Sequence, residues 1–281
     1  MRSYHAAEGA KRTLLYLVIG VLGFAFIFPF FWMVISSLKL NRDVLAIPIR
    51  FFPPVWNWMS YINVFTKFPD FNFPRFILNS IIVTTLAVLL CLFLSATAGY
   101  GFAKYRFKGN DILFTIVLAT IMISFEAIVV SLFVLVRRMG MQNTYGGLII
   151  PEALTAFGVF MMRQFYYALP DDFIESARID GASEYTIFVR IAIPMAQTAL
   201  LALVIFHAQW VWNFLIWPLI VISNPDMRVL PQGIALFKGS YNTPYPEQLA
   251  VSVIACLPLF ILYIFLSKYF VQGIAMTGLK V

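Results

Sequence analysis

The chain contains 281 residues, of which 61% are hydrophobic and only 12% are charged. Soluble domains are about 45–50% apolar and about 25% charged, and the mean hydropathy here is +0.85. These values exclude an ordinary soluble enzyme, a disordered tail and a small disulfide scaffold. The net charge of +7 fits basic loops beside membrane helices, so we interpret the chain as an integral membrane protein.

Six apolar runs are long enough to cross a bilayer as helices, since one crossing takes about 20 residues. Their approximate positions are residues 14–38, 76–103, 112–136, 146–169, the stretch between Arg190 and Asp226, and the stretch between Glu247 and Lys268. The runs are long and continuous rather than alternating, which favours helices over a β-barrel. The sequence therefore predicts an all-α integral membrane protein with six transmembrane helices.

Six spans place both termini on one side of the membrane. The short link after the second span carries Lys104, Arg106 and Lys108, and basic residues concentrate in the cytoplasmic loops of membrane proteins. We therefore predict that both termini are cytoplasmic. The predicted organisation is an N-terminal tail at residues 1–13 and a single membrane domain at residues 14–281.

The link between the fourth and fifth spans, residues 170–194, is unlike its apolar surroundings. It holds five of the thirteen acidic residues of the chain: Asp171, Asp172, Glu175, Asp180 and Glu184. Locally it predicts a helix capped by Asp171, a left-handed turn at Gly181, and a second helix that is capped by Ser183 and merges with the fifth span. These residues alone leave two interpretations open, an amphipathic loop on the membrane surface or a docking element for a cytoplasmic partner.

Two stretches of this link carry a resemblance to a known family. Glu175-Ser-Ala-Arg-Ile-Asp-Gly-Ala182, followed by Ile191-Ala-Ile-Pro194, resembles the EAA loop of bacterial ABC importer permeases. The form is that of the carbohydrate-uptake subfamily, close to the maltose-type second permease. Similar stretches at residues 100–109, 160–165, 212–219 and 270–280 extend the resemblance across nearly the whole chain. The chain departs from the pattern at Ser176, where the family usually has alanine, and at Thr198, where a second proline often stands.

The resemblance implies the type I ABC importer permease fold, with a cytoplasmic coupling helix between spans four and five. The residues that would contact the ATPase are Glu175, Ser176, Ala177, Arg178, Asp180, Gly181 and Ala182. The implied partners are a second homologous permease, two copies of a cytoplasmic ABC ATPase that binds ATP and Mg, and an extracytoplasmic sugar-binding protein. The implied location is the bacterial cytoplasmic membrane, and nucleic acid is not an expected partner.

The sequence indicates no catalytic, cofactor or metal site in the chain itself. It contains no Gly-x-x-x-x-Gly-Lys-Ser/Thr loop that could cradle nucleotide phosphates. The two histidines, His5 in the N-terminal tail and His207 in the fifth span, do not form a metal-binding pattern. We therefore expect a permease rather than an enzyme, with ATP hydrolysis on a separate subunit.

Four residues are candidates for a sugar pathway: Glu126, Trp210, Asn213 and Trp217. Aromatic faces suit the C–H surfaces of sugars, and an amide can satisfy hydroxyl groups; packing between helices is the alternative role for the tryptophans. Glu126 and Glu152 are the acids inside predicted spans. They raise a second function, an ion-coupled secondary transporter that uses Glu126. Glu152 lies near the end of the fourth span and is expected to reach water.

Overall fold

The computed structural model describes residues 2–68, 71–237 and 243–277, with side chains described from residue 12 to residue 268 within those ranges. The family-like ending at residues 270–280 therefore lies partly outside the described residues. The regular structure within these ranges is helical. The α-helices are α1 (Arg2–Ser37), α2 (Asn41–Val44), α3 (Met59–Thr66), α4 (Phe73–Lys104), α5 (Asn110–Ile121), α6 (Phe125–Arg138), α7 (Tyr145–Ile149), α8 (Ala156–Ala168), α9 (Asp172–Ile179), α10 (Glu184–Ile187), α11 (Ile193–Met195), α12 (Gln197–Asn213), α13 (Ile216–Val221), α14 (Leu230–Leu236) and α15 (Tyr245–Thr277).

Six candidate crossings result, among the described residues, when each bent pair of helices counts as one span. Three are unbroken: Arg12–Ser37 in α1, Phe73–Lys104 in α4 and Tyr245–Lys268 in α15. The others bend by 102° between α5 and α6, by 43° between Tyr145–Glu152 and α8, and by 72° between Glu184–Met195 and α12. The predicted helical class and number of spans are confirmed, but the third, fourth and fifth spans are broken rather than continuous.

Local sequence accounts for two of these breaks. The side chain of Thr155 accepts a 2.9 Å hydrogen bond from the backbone N–H of Gly158, and such a cap starts a new helix at α8. Pro194 has no N–H to donate to the Arg190 carbonyl, and a π-helical segment at Phe188–Ala192 leads into it. The second helix of the coupling loop therefore meets α12 at a bend. The prediction that it merges with the fifth span is confirmed, with the difference that the merged span is bent by 72° rather than straight.

The fifth span is also shorter than the uncharged stretch from which it was predicted. α12 ends at Asn213, and Phe214 has an extended backbone (φ −73°, ψ 117°). Pro218, in the short helix α13, has no N–H to donate to the Phe214 carbonyl, so one helix cannot run through this point. The stretch between Arg190 and Asp226 is divided among several elements.

The helices fall into two compact units. The first comprises the described residues up to Phe71 together with Leu236–Cys256. Within it, the side-chain amide of Asn63 donates a 2.9 Å hydrogen bond to Oε1 of Glu247, which joins α3 to the start of α15. The single membrane domain at residues 14–281 stays a prediction.

The second unit comprises Asn72–Ala235 and the described residues from Leu257 onward, and α4 packs there along both α8 and α12. Gly99 allows a close approach of α4 to α8, because a Cβ atom at this position would lie 2.6 Å from the Cβ of Met162. A Cβ atom on Gly158 would likewise collide with the Oγ of Ser95. Small residues at crossings let helix backbones approach closely in membranes. α4 and α8 are therefore tightly joined.

Candidate functional site

The predicted coupling loop consists of α9 and α10, joined by a turn at Gly181. Gly181 has φ = +80°. Its N–H bonds to the Arg178 carbonyl at 3.0 Å, and the N–H of Ala182 bonds to the Ala177 carbonyl at 2.9 Å. These two bonds form a Schellman motif, which favours glycine because the residue after the helix adopts a left-handed backbone. The left-handed turn predicted at Gly181 is confirmed.

The two helices of the loop begin differently. The hydroxyl of Ser183 accepts a 3.2 Å hydrogen bond from the N–H of Thr186, so Ser183 caps α10 as predicted. Asp171 makes no side-chain cap bond to α9, and that prediction is wrong. Its Oδ1 atom instead accepts a 2.6 Å hydrogen bond from the ammonium of Lys104, at the end of α4. The Asp171 carboxylate thus pairs with the Lys104 ammonium instead of with the N–H groups at the start of α9.

The predicted ATPase-contacting residues differ in exposure. The exposed ones are Glu175, Ser176, Arg178, Asp180 and Gly181. Ala177 and Ala182 are partly buried and pack against the core of the second unit. Large apolar side chains that were not predicted as part of the site also protrude from the loop: Phe173 (52% exposed), Ile179 (86%) and Tyr185 (77%). Apolar side chains exposed together are typical of a protein contact surface.

Arg178 and Glu184 connect α9 to α10 across the glycine turn. The Nε atom of Arg178 lies 2.6 Å from Oε1 of Glu184, and its Nη2 atom lies 3.2 Å from Oε2. Two parallel bonds from a guanidinium fix the orientation of both partners. Sequence reasoning missed Glu184 as a site residue. The signal that could have found it is its opposite charge on the far side of the Gly181 turn.

The link after α4 reaches the same loop at two places. The hydroxyl of Tyr105 donates a 2.7 Å hydrogen bond to Oε2 of Glu184. The ammonium of Lys104 donates to the backbone carbonyl of Leu169 at 2.6 Å, in addition to Asp171. Burial, together with the bond to Glu184, raises the pKa of Tyr105 to about 12. The bond from Lys104 lowers the pKa of Asp171. Near neutral pH the tyrosine is therefore a donor and Asp171 an anionic acceptor.

An open polar cavity lies between the link after α4, the end of α8, and α9. Its charged lining residues are Lys104, Arg106, Asp111, Arg163, Asp171, Glu175 and Arg178. The guanidinium of Arg163 lies 3.9 Å from the centre of the Phe114 ring and 3.7 Å from Oδ1 of Asp111. The coupling loop and the basic link thus form one charged surface at the same end of α4.

Glu126 lies at the bend between α5 and α6 rather than inside a continuous helix. It is exposed, stands in the first turn of α6, and accepts a hydrogen bond from the hydroxyl of Ser124. A carboxylate is favourable at the positive end of a helix dipole. The geometry around Glu126 therefore fits the start of a helix.

Trp210 and Asn213 line one groove on α12. The other residues of the groove are Phe206, Gln209 and Phe214. Trp210 is 51% exposed, and its ring stacks on Phe214 with the ring centres 5.2 Å apart. Asn213 is exposed, and its amide donates to the Gln209 carbonyl at 2.8 Å. The structure thus brings two of the four predicted pathway residues together beside aromatic faces and amides.

Trp217 does not lie in this groove. It is only 1% exposed, and its indole Nε1 donates a 2.9 Å hydrogen bond to the Gly147 carbonyl. It packs in a buried cluster with apolar residues of α4 and α7, including Val83 and Leu148. A buried indole with a satisfied N–H fits the alternative role of packing between helices.

Glu152 was expected to reach water, and the structure shows that this is wrong. It is only 7% exposed, and its Oε2 atom accepts a 2.9 Å hydrogen bond from Nε1 of Trp210. The backbone of Glu152 also forms a hydrogen bond with the imidazole of His207. The fourth span breaks directly after Glu152, which leaves the side chain against α12. The sequence feature that could have predicted this break is Pro151, because a proline beside a charged residue in a span indicates irregular backbone.

Comparisons with known proteins agree along nearly the whole chain. The family model described as "Binding-protein-dependent transport system inner membrane component" matches residues 92–276. The arabinooligosaccharides transport system permease protein AraQ of Bacillus subtilis (strain 168) is 33% identical, over 96% of this chain and 96% of its own. The trehalose/maltose transport system permease protein MalG of Thermococcus litoralis is 31% identical, over 97% and 98%. The lactose transport system permease protein LacG of Rhizobium radiobacter is 28% identical, over 92% and 93%.

Two solved structures share the fold. One is a chain of a bacterial ABC transporter involved in the import of the acidic polysaccharide alginate. It has a TM-score of 0.81 and 21% identity, covering 92% of this chain and 95% of that chain. The other belongs to a bacterial alginate ABC transporter in complex with an alginate pentasaccharide-bound periplasmic protein. It has a TM-score of 0.64 and 14% identity, covering 91% and 93%.

Proposed function

The chain belongs to the family of binding-protein-dependent transport system inner membrane components and has the fold of an ABC importer permease, and from this premise we propose that it is one of two permease subunits in an ATP-driven importer of sugars or oligosaccharides. It is a transport subunit rather than a catalytic one. ATP and Mg bind to a separate ATPase, two copies of which dock from the cytoplasm.

The observation that carries this proposal is the form of the coupling loop. Apolar and charged side chains protrude from it, namely those of Phe173, Ile179 and Tyr185 and of Glu175, Arg178 and Asp180. The Schellman turn at Gly181 and the Arg178–Glu184 pair hold the two helices in one arrangement. A loop held in one arrangement can dock in a cleft on the ATPase and transmit a displacement of that subunit to the membrane spans. Closure of the ATPase then displaces residues 175–182 and re-aims the spans between inward-facing and outward-facing states.

The substrate class follows from the relatives and from the groove on α12. The similar permeases are named for arabinooligosaccharides, trehalose/maltose and lactose transport. The groove presents the ring of Trp210 and the amide of Asn213, which suit the apolar faces and hydroxyl groups of a sugar. We assign this groove to the wall of the pathway.

The remaining partners complete the proposed assembly. A related but distinct permease forms the other half of the pathway, and an extracytoplasmic binding protein delivers the sugar. One of the structural neighbours is a transporter in complex with a periplasmic protein bound to an alginate pentasaccharide. Both termini and the coupling loop face the cytoplasm, because the link with Lys104, Arg106 and Lys108 lies beside that loop.

The alternative of an ion-coupled secondary transporter finds no support. It depended on Glu126 as an intramembrane ion site, but Glu126 is exposed at the start of α6 and accepts a bond from Ser124. The similar proteins are permeases of binding-protein-dependent systems.

Site-directed crosslinking in native membranes tests the proposal. A Ser176→Cys variant carries its thiol on the exposed face of α9. Arg138→Cys is the matched control, because this exposed position at the end of α6 lies on the opposite side in the six-span topology. We expect Ser176→Cys, but not Arg138→Cys, to crosslink to a polypeptide that contains a nucleotide-binding phosphate loop, identified by mass spectrometry. A chain that purifies alone and takes up maltose or lactose in exchange for ions would contradict the proposal.

A further inference from the structure

Lys104 and Tyr105 sit at the end of α4 and bond to both sides of the coupling helix α9. Before α9, the Lys104 ammonium donates to the Leu169 carbonyl and to Asp171, each at 2.6 Å. After α9, the Tyr105 hydroxyl donates to Glu184 at 2.7 Å. The end of the second span is therefore hydrogen-bonded to the loop at two points, one before and one after α9, which is the helix that the ATPase would displace.

At the first point the lysine side chain is buried, whereas its Asp171 partner is exposed. The Lys104 side chain is 5% exposed, and its ammonium occupies the end of α8, where Leu169 is the last residue before the loop. A buried ammonium requires oxygen partners, and a charged donor makes shorter and stronger bonds than a neutral one. Lys104 thus ties the end of α4 to the point at which the chain leaves the fourth span.

The second point is fixed by the guanidinium of Arg178. Glu184 accepts two bonds from Arg178 and a third from Tyr105. Its carboxylate cannot rotate away from Tyr105 without also leaving Arg178. The Tyr105 hydroxyl is therefore held against the start of α10, while the Schellman turn fixes α10 to α9.

The chain itself connects the coupling loop only to the fourth and fifth spans, whereas the second span contacts it without a covalent link. Ring contacts, such as that of Tyr100 with Phe188, whose ring centres are 5.1 Å apart, allow α4 to slide against the loop. Directional hydrogen bonds on both flanks resist sliding. On the basis of the proposed function, we infer that Lys104 and Tyr105 are positioning residues that move α4 as one body with the coupling loop when the ATPase displaces it.

Distance measurements on the assembled importer test this inference. Spin labels are placed at Phe93→Cys, which is 64% exposed on α4, and at Asp172→Cys, in a Cys256→Ser background. Asp172 is exposed at the start of α9 and lies outside the predicted ATPase-contacting residues. The remaining Cys91 is fully buried. The distance between the labels is recorded in nucleotide-free complex and in complex trapped with ATP and vanadate. A second pair at residues 138 and 172 reports whether the loop moves at all.

In the otherwise native chain we expect the distance between residues 93 and 172 to stay the same on trapping, while the distance between residues 138 and 172 shifts. With Tyr105→Phe or Lys104→Met, we expect the distance between residues 93 and 172 to shift, or its distribution to broaden, on trapping. Lys104→Arg retains a charged donor and should restore the native result. Lys108→Met and Tyr167→Phe, on exposed neighbours, are the matched controls and should behave like the native chain.

The outcomes separate this inference from the function on which it rests. A trapping-dependent shift in the distance between residues 93 and 172 in the native chain would overturn the inference while leaving the importer assignment intact. The inference would also be overturned, with the importer assignment intact, if this distance stayed unchanged on trapping in both Tyr105→Phe and Lys104→Met. Failure of the distance between residues 138 and 172 to respond to nucleotide would instead overturn the proposed docking of the ATPase, and the inference with it.

Discussion

The indole Nε1 of Trp210 donates a 2.9 Å hydrogen bond to Oε2 of Glu152 and so joins α12 to the break in the fourth span. Glu152 is 7% exposed, whereas Trp210 keeps 51% of its surface exposed beside the groove on α12. One side chain therefore serves two sites. Its ring forms part of the proposed sugar pathway, and its N–H satisfies a buried carboxyl group.

Trp210→Phe separates these two roles, because it keeps an aromatic ring and removes the N–H. We expect the free energy of unfolding to fall by about 1–3 kcal/mol, since a buried acceptor loses its donor. Thermal unfolding of the detergent-purified protein measures the change. Trp58→Phe, at a 63% exposed indole in the link between α1 and α4, is the control and should change stability little. Equal stability of Trp210→Phe and the native chain would show that Glu152 does not depend on this bond.

Trp217→Ala should act on folding rather than on transport. The side chain is 99% buried, and its N–H is bonded to the Gly147 carbonyl, so its removal leaves a large cavity that costs about 3–5 kcal/mol. We expect a lower melting temperature and less monodisperse protein on size exclusion. Trp210→Ala, at the half-exposed position, should lose less stability and more sugar uptake. A stable Trp217→Ala protein with weakened uptake would place Trp217 in the pathway instead.

Gly181→Asp should uncouple ATP hydrolysis from uptake. A non-glycine residue in the left-handed region costs about 1–2 kcal/mol, and the distorted turn would also add a charge to the docking surface. We expect membrane insertion and ATP hydrolysis to persist while uptake is lost. Gly140→Asp is the matched control, because Gly140 has φ = +70° and, as at Gly181, a Cβ atom added there would have no heavy atom of another group within 4 Å. Normal uptake by a stably expressed Gly181→Asp variant would rule out the docking role of the loop.

The Lys104–Asp171 bond should fail on acidification. The bond holds the pKa of Asp171 below its ordinary value of 3.8. A carboxyl group with a lowered folded-state pKa contributes stability above its ordinary pKa and loses that contribution as the pH falls through the lowered value. We expect the difference in melting temperature between the native chain and Asp171→Asn to be constant from about pH 7 to about pH 4 and to shrink below that. A difference that already shrinks between pH 7 and pH 5 would mean that another group controls this site.

Local features were predictable from the sequence because they depend on neighbouring residues. The number of spans follows from apolar runs, each about as long as the bilayer is thick. The Gly181 turn and the Ser183 cap follow from the backbone preferences of glycine and serine, and both occur in the structure. The resemblance of residues 175–182 to a known loop added the family, and the matching relatives confirmed it.

The pairing of charges required the tertiary structure. Asp171 has the sequence signature of a helix cap, yet it bonds to Lys104, 67 residues earlier in the chain. Glu152 reads as a residue near water, yet it bonds to Trp210, 58 residues later. A side-chain oxygen can bond only to donors within its reach, and the packing of α4, α8 and α12 decides which donors those are. The sequence by itself thus determined the membrane class, the spans and the turn of the coupling loop. The contacts that tie this loop to the second span were decided by the fold, because they join residues that are distant along the chain.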